Sequence, residues 1–224
     1  MSAKSSNAKL ENTSKEWPGA FGAFKYSKQA VMLNLGNIII LLIASYAAGS
    51  IINALTVNNN STNISEMFSS RAVLGLFLAS LVAYYFQIAI VMNYLSGASN
   101  KKTELGDTLN KAFPFYVDFV IMNVLRSIIL MLSLIAFVIP FFFVLPRLIL
   151  ADYYLIDKKM TAIESLKASW NGTKGNSLKV YGIFGAVIVM CLPVITVIGI
   201  IVTVPLLVLY SAVLAILYKN ISAK

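Results

Sequence analysis

The chain has 224 residues, of which 58% are hydrophobic and only 12% are charged, with a net charge of +9 and a mean hydropathy of +0.79. Soluble domains carry roughly 25% charged residues, so a water-soluble fold of this size would lack the polar side chains to cover its surface, and the apolar excess must face lipid. With no histidine, one cysteine and nine scattered carboxylates, neither a zinc site nor a His-based triad can be assembled; no catalytic residue, metal or cofactor is expected.

Residues 1–16, rich in Ser, Asn and Lys, are expected to form a disordered tail, and residues 17–224 a single transmembrane domain. A membrane-spanning helix needs about 20 mainly apolar residues. Six stretches qualify: 31–57, 72–95, 115–139, 141–156, 178–198 and 200–218. The first is longer than a signal-peptide core and reads as an uncleaved span. The third contains Asp118 and Arg126, and the fourth would be a short helix. Cys191, inside an apolar run, reads as a small buried hydrophobe.

These stretches group into three hairpins, each introduced by an amphipathic segment. In residues 17–28, Trp17, Phe21 and Phe24 fall at helical spacing while Lys25 and Lys28 stay wet. In residues 103–113, Leu105, Leu109 and Phe113 line one face and Asp107 precedes Lys111 by four. In residues 161–171, Thr161 and Glu164 form a capping-box pattern, Ile163, Leu166 and Trp170 share a face, and Gly172 can end the helix. Such segments suit the headgroup layer, with Trp at the polar boundary; they serve equally as cytoplasmic connectors packed on helix ends.

The placement of charge sets the orientation. Of the 18 basic residues, 15 are lysines in alternate connections, and the opposite connections hold only Arg71. By the positive-inside rule the lysine-bearing side is cytoplasmic, which puts both termini there and makes the number of spans even. Nucleic acid is not an expected partner, because no soluble basic module exists to carry it.

Residues 138–150 align without gaps with residues 197–209, an offset of 59, matching Pro140 to Gly199 and Pro146 to Pro205. Each hairpin is expected to turn at the first of these breakers. Because 59 residues contain two spans, the repeat is parallel, unlike the inverted repeats of many transporters. The 58–70 connection holds Asn59, Asn60 and Asn63 in glycosylation contexts, but Asn- and Lys-rich, Arg-poor usage points to an AT-rich bacterial genome. Gly36, Ala44, Ala47, Ala48 and Gly49 on the first span, and Gly182, Gly185 and Ala186 on the fifth, are expected to permit close helix packing. Residues 172–175 are superficially similar to a phosphate loop but lack the Walker spacing.

Charged side chains within a membrane are candidate functional groups, because burial without a partner is costly. Here they are Asp118, Arg126, Arg147 and Asp152. Arg126 stands roughly 16 Å along its helix at 1.5 Å per residue, with Arg147 at a similar depth. The expected arrangement is a cross-helix network, Arg147 with Asp118 and Arg126 with Asp152. Two other readings stay open: Asp118 and Arg126 on an interfacial helix, or Arg147 with nearby lysines gripping an inner-leaflet lipid phosphate.

Residues 147–157, followed by 162–169 and 173–176, resemble a bacterial six-span membrane-domain superfamily. It includes the membrane domain of glycerophosphodiester phosphodiesterases and related integral membrane proteins. The shared pattern is an Arg on the returning helix, an aromatic and a Leu before an Asp, an Ala-Leu-x-x-Ser helix and a Thr-x-Gly turn. Phe141 stands where that family often has Gly, and Leu166 with Lys167 shifts its Ala-Leu pair. In the family, catalysis belongs to a separate soluble domain, so the resemblance implies a membrane domain and no phosphodiesterase activity.

The sequence thus leads to an all-α, polytopic transmembrane bundle of about six spans, multi-pass in a bacterial cell membrane. The expected role is a non-enzymatic accessory or envelope component whose partners are membrane lipid, including anionic lipid, and a membrane protein. A small permease or exporter is the alternative. An intramembrane enzyme using Asp118 and Asp152 as a carboxylate pair ranks third.

Overall fold

The computed structural model describes residues 17, 19–56, 70–136, 138–191 and 197–222, and within them every extended regular element is a helix. The tail of residues 1–16, the three glycosylation contexts and the side chain of Cys191 lie outside the described residues. Three helical stretches are long and apolar enough to cross a membrane: Gly22–Thr56, Ser70–Ala98 and Leu105–Ala136.

Helix α1 covers Ala20–Thr56, 37 residues or about 55 Å, well beyond the roughly 30 Å of a hydrocarbon core. The lead-in helix expected over 17–28 is therefore the first part of α1, bent at Asn34 (φ −122°, ψ 19°). The bend has a local cause. Asn34 Nδ2 donates to the carbonyls of Lys101 (3.0 Å) and Asn93 (3.3 Å), and its Oδ1 accepts from the Thr103 amide (2.9 Å). Asn37 Nδ2 reaches the Thr103 carbonyl at 2.7 Å, and Thr103 Oγ1 donates to Asn93 Oδ1 at 2.8 Å. An asparagine that bonds across to a neighbour competes with its own helix ladder.

Helix α2, Ser70–Ala98, lies antiparallel to α1. A Cβ built on Gly75 would lie 1.9 Å from Thr56 Oγ1, and one on Gly97 would lie 2.2 Å from the Ala30 carbonyl oxygen. These glycines at the two ends of α2 set the close approach. Gly36, Gly49 and Gly185, expected to do so, have no neighbour within 4 Å of such an atom.

The chain then passes through α3, Leu105–Ala112, a 3-10 turn over Phe113–Phe115, and α4, Tyr116–Ala136. Leu105 and Leu109 pack on the core as expected, and Lys111 pairs with Asp107 at 3.3 Å. Phe113 does not join them; the switch to 3-10 geometry leaves it 72% exposed.

The stretch 141–156, expected as one short span, is two helices: α5, Val138–Leu148, and α6, Ala151–Asp157. At 11 and 7 residues, neither alone reaches across a bilayer. Pro146 removes an N–H and crowds the preceding turn, and α5 ends two residues later. Helices α7, Ala162–Lys174, α8, Ser177–Cys191, and α9, Val197–Ser222, complete the chain. Helices α5 and α9 start at the aligned positions of the repeat, with Pro146 and Pro205, its second breaker, inside them. Pro140 and Gly199 are not turn residues; each is third in its helix, where a proline is tolerated because the first amides have no ladder partner.

Burial is uneven. The core gathers the C-terminal half of α2, the start of α4, all but the last residue of α6, and residues 212–218 of α9. The far part of α1 and of α4 instead exposes large apolar side chains, among them Leu55 at 81% and Ile135 at 70%. Such a surface is unstable in water and at home in lipid.

Two outcomes follow from this packing. Gly97→Ala should lower unfolding stability in detergent by about 1 to 3 kcal/mol, the usual cost of forcing atoms into a packed contact, whereas Gly36→Ala should cause no loss. At α7, Glu164 Oε2 accepts from the Thr161 amide (3.0 Å) and hydroxyl (2.9 Å), which hold its carboxyl below the ordinary value of 4.5. A lowered acid stabilises the fold above its unfolded-state value and loses that contribution as pH falls through the folded one. The stability margin of the wild type over Glu164→Gln should be full at neutral pH and shrink below the ordinary glutamate range, as read by thermal melts across pH.

Candidate functional site: the break between α5 and α6

Between α5 and α6 the backbone leaves helical geometry at Ile149 and Leu150, the latter at φ −92°, ψ 0°. Orphaned amides and carbonyls at such a break need partners, and α7 supplies them. Ser169 Oγ donates to the Arg147 carbonyl at 2.6 Å and accepts from the Leu150 amide at 3.2 Å. On the far side, the Leu150 carbonyl accepts from the Tyr153 and Tyr154 amides at 3.1 and 3.2 Å. Ser169 is fully buried, on an α7 face made of Ala162, Ser165, Leu166, Ser169 and Thr173. This corrects the expected apolar face: Leu166 is buried, but Ile163 and Trp170 are 55% and 39% exposed. Small polar residues face inward because they let α7 approach and bond the broken backbone. Helix α7 also continues past Gly172 to Lys174, with Gly175 at its end.

The break turns α6 into the core, and that decides the fate of the four candidate charges. Asp152 meets Arg126 of α4. Nη1 donates to Oδ2 at 3.4 Å, Nη2 makes a closer contact with Oδ1, and Nη2 also lies 3.7 Å from Met122 Sδ. The side chains are 18% and 12% exposed, and Arg126 Nε is buried with no partner. Protein groups thus surround most of the Arg126 side chain.

The second expected pair, Arg147 with Asp118, does not form. Asp118 stands in the first turn of α4, where its Oδ1 accepts from the Ala162 amide at 3.3 Å, opening α7. A carboxylate is favoured there by the unpaired amides and the positive end of the helix dipole. Arg147, in the last turn of α5, leans back on α7, with its guanidinium carbon 5.2 Å from the centre of the Trp170 ring. Asp118 and Asp152 therefore hold different partners and form no carboxylate pair.

A second cluster was not foreseen. Tyr218 of α9 stacks on Tyr153 (centroids 5.9 Å apart), meets Tyr154 edge-on (4.8 Å), and donates to Asp157 Oδ2 at 2.8 Å. Lys219 Nζ reaches Asp157 Oδ1 at 2.9 Å, and Tyr153 Oη donates to the Ser211 carbonyl at 2.7 Å. The visible signal was opposite charge at the same end of two apolar stretches, Asp157 closing one and Lys219 the other; nothing in the spacing said that those stretches touch.

The outer face of α7 carries Ile163, Lys167, Trp170 and Lys174, all exposed and all within one helical stripe. With Arg147 laid on Trp170, three cations and an indole share one surface.

Removing one member of a mostly buried ion pair leaves an uncompensated charge, at about 3 to 5 kcal/mol, whereas replacing both with apolar groups is often near neutral. Asp152→Leu alone and Arg126→Met alone should each lower the melting temperature sharply. The double variant should recover most of the loss, as a double-mutant cycle of detergent-solubilised protein would show. Comparison with family models, with curated proteins and with solved structures finds no match for this chain.

Proposed function

We propose that this chain is a six-span protein of a bacterial cytoplasmic membrane, with both ends in the cytoplasm. In this reading it acts as a non-enzymatic accessory or envelope component that holds anionic lipid on the outer face of α7. The observation that carries the lipid part is the position of Arg147. Its guanidinium is engaged by no carboxylate among the described residues and lies over the Trp170 ring, 5.2 Å from its centre, beside a stripe with Lys167 and Lys174. A cation–π contact uses no N–H group in an ion pair and so leaves the guanidinium donors to grip a phosphate.

Helix α1, helix α2 and the stretch Leu105–Ala136 supply three crossings. The remaining three are assigned to α5 with α6, to α8 and to α9. Residues 138–157 would span about 30 Å at helical rise, the thickness of a hydrocarbon core. A broken crossing is tolerated at membrane depth where protein satisfies the freed backbone, the part played by Ser169. Lysines in alternate connections support the orientation. The resemblance to the membrane-domain superfamily belongs to the same proposal, since Arg147 and Ser169, within the resembling stretches, supply the carbonyl and the hydroxyl that meet at the break.

The test has two arms. Reporter fusions should place the C-terminus inside and residue 60 outside; a C-terminal reporter active outside the cell would reject the topology. Purified wild type should retain phosphatidylglycerol over phosphatidylethanolamine in native mass spectrometry, with retention falling about fivefold for each charge removed in Arg147→Ala and Lys167→Ala. Unchanged retention in both variants would reject the lipid role.

A further inference from the structure

A groove of about 630 Å³ runs between α1 and α9, away from the α5–α6 break. Its walls are apolar: Val31, Leu35, Ile39 and Leu42 on α1, with Pro205 and Leu209 on α9. Among the described residues one charged side chain lines it, Lys28, at the end nearest the start of α1. Lys28 is exposed, and Lys25, one turn earlier, is exposed as well. The lining on α1 extends from Lys28 to Ile43, about 22 Å at helical rise, longer than the roughly 15 Å of one leaflet of a hydrocarbon core.

A groove with a cation at one end and hydrocarbon along the rest has the polarity of an amphiphile. A partner helix seated there would have to bring its own carboxylate to Lys28, since no described residue of the lining is acidic and an uncompensated charge is costly to cover. A lipid phosphate neutralises it in place. We propose that this groove is a specific site for one anionic glycerophospholipid of the inner leaflet, its phosphate on Lys28 and one acyl chain along Leu35, Ile39 and Leu42. The site rests on the membrane placement proposed above and is separate from the α7 stripe.

The experiment uses the full chain in phosphatidylcholine vesicles doped with phosphatidylglycerol or phosphatidylcholine bearing a diazirine in one acyl chain, followed by peptide mapping after illumination. Lipid-facing Met131 and Leu132 of α4, both exposed, give the reference labelling of ordinary contact. In wild type, groove peptides of α1 should be labelled by phosphatidylglycerol in excess of phosphatidylcholine, relative to α4. Lys28→Ala should cut that excess about fivefold, the worth of one lysine near an anionic lipid, and leave phosphatidylcholine labelling unchanged. Ile39→Trp, at a half-exposed position where bulk fills the groove without disturbing the core, should suppress groove labelling by both lipids. Equal labelling by the two lipids in wild type, or an excess that survives Lys28→Ala, overturns the site. Labelling of α4 with none in the groove also overturns it and points to a protein occupant. Absence of label on α4 as well removes the membrane placement along with it.

Discussion

An unpaired backbone amide or carbonyl buried away from water costs several kcal/mol, so a chain can leave helical geometry in a buried region only where a neighbour replaces the lost bonds. The Ser169 hydroxyl does this between α5 and α6, accepting from Leu150 and donating to Arg147. The consequences are specific. Helix α6 turns into the core, Asp152 reaches Arg126, Tyr153 and Tyr154 reach Tyr218, and Arg147 is carried away from Asp118 onto Trp170. One small hydroxyl, on a helix that starts five residues after α6 ends, thus helps to set which charges pair and which stays available.

The bend of α1 at Asn34 obeys the same rule with a different side chain. An amide group offers two donors and an acceptor, and Asn34 uses both kinds on the 93 to 103 connection. The two devices tie each irregular piece of backbone to an element from another part of the chain. Helix–helix association within lipid gains little from hydrophobicity, because lipid tails are as apolar as leucine. Polar knots of this kind, together with close approaches such as Gly97 against Ala30, supply the specificity that a soluble core takes from burial.

Those knots concentrate at one end of the bundle. There α2, α4, α6 and α9 bury their side chains around Tyr218 and Phe119, while the far parts of α1 and α4 remain open to their surroundings. The basic and aromatic groups follow the packed end: Arg147 with Trp170, Lys219 with Asp157, Lys28 at the mouth of its groove. A densely packed end that carries these cations, with apolar extensions beyond it, is the arrangement on which the proposed lipid role rests.

Several features were legible in the residues because they depend on near neighbours in sequence or on bulk composition. The helical class and three long apolar helices follow from hydropathy. The Asp107–Lys111 contact and the Thr161–Glu164 bonds need only helical spacing. The shared start of α5 and α9 followed from the 59-residue alignment. Spacing could not place Trp170 on the outer face of α7, because the inward side was chosen by a broken backbone requiring small hydroxyls. Nor could it find Asp157 with Tyr218 and Lys219, or show that Arg147 takes Trp170 in place of Asp118, although it did pair Arg126 with Asp152. The sequence by itself determined that this is a helical membrane chain with its lysines segregated into alternate connections, since transfer free energy depends on composition and order alone. Only the tertiary structure decided where the helices break and which charges meet, because each of those choices depends on a donor or acceptor brought in from a distant segment.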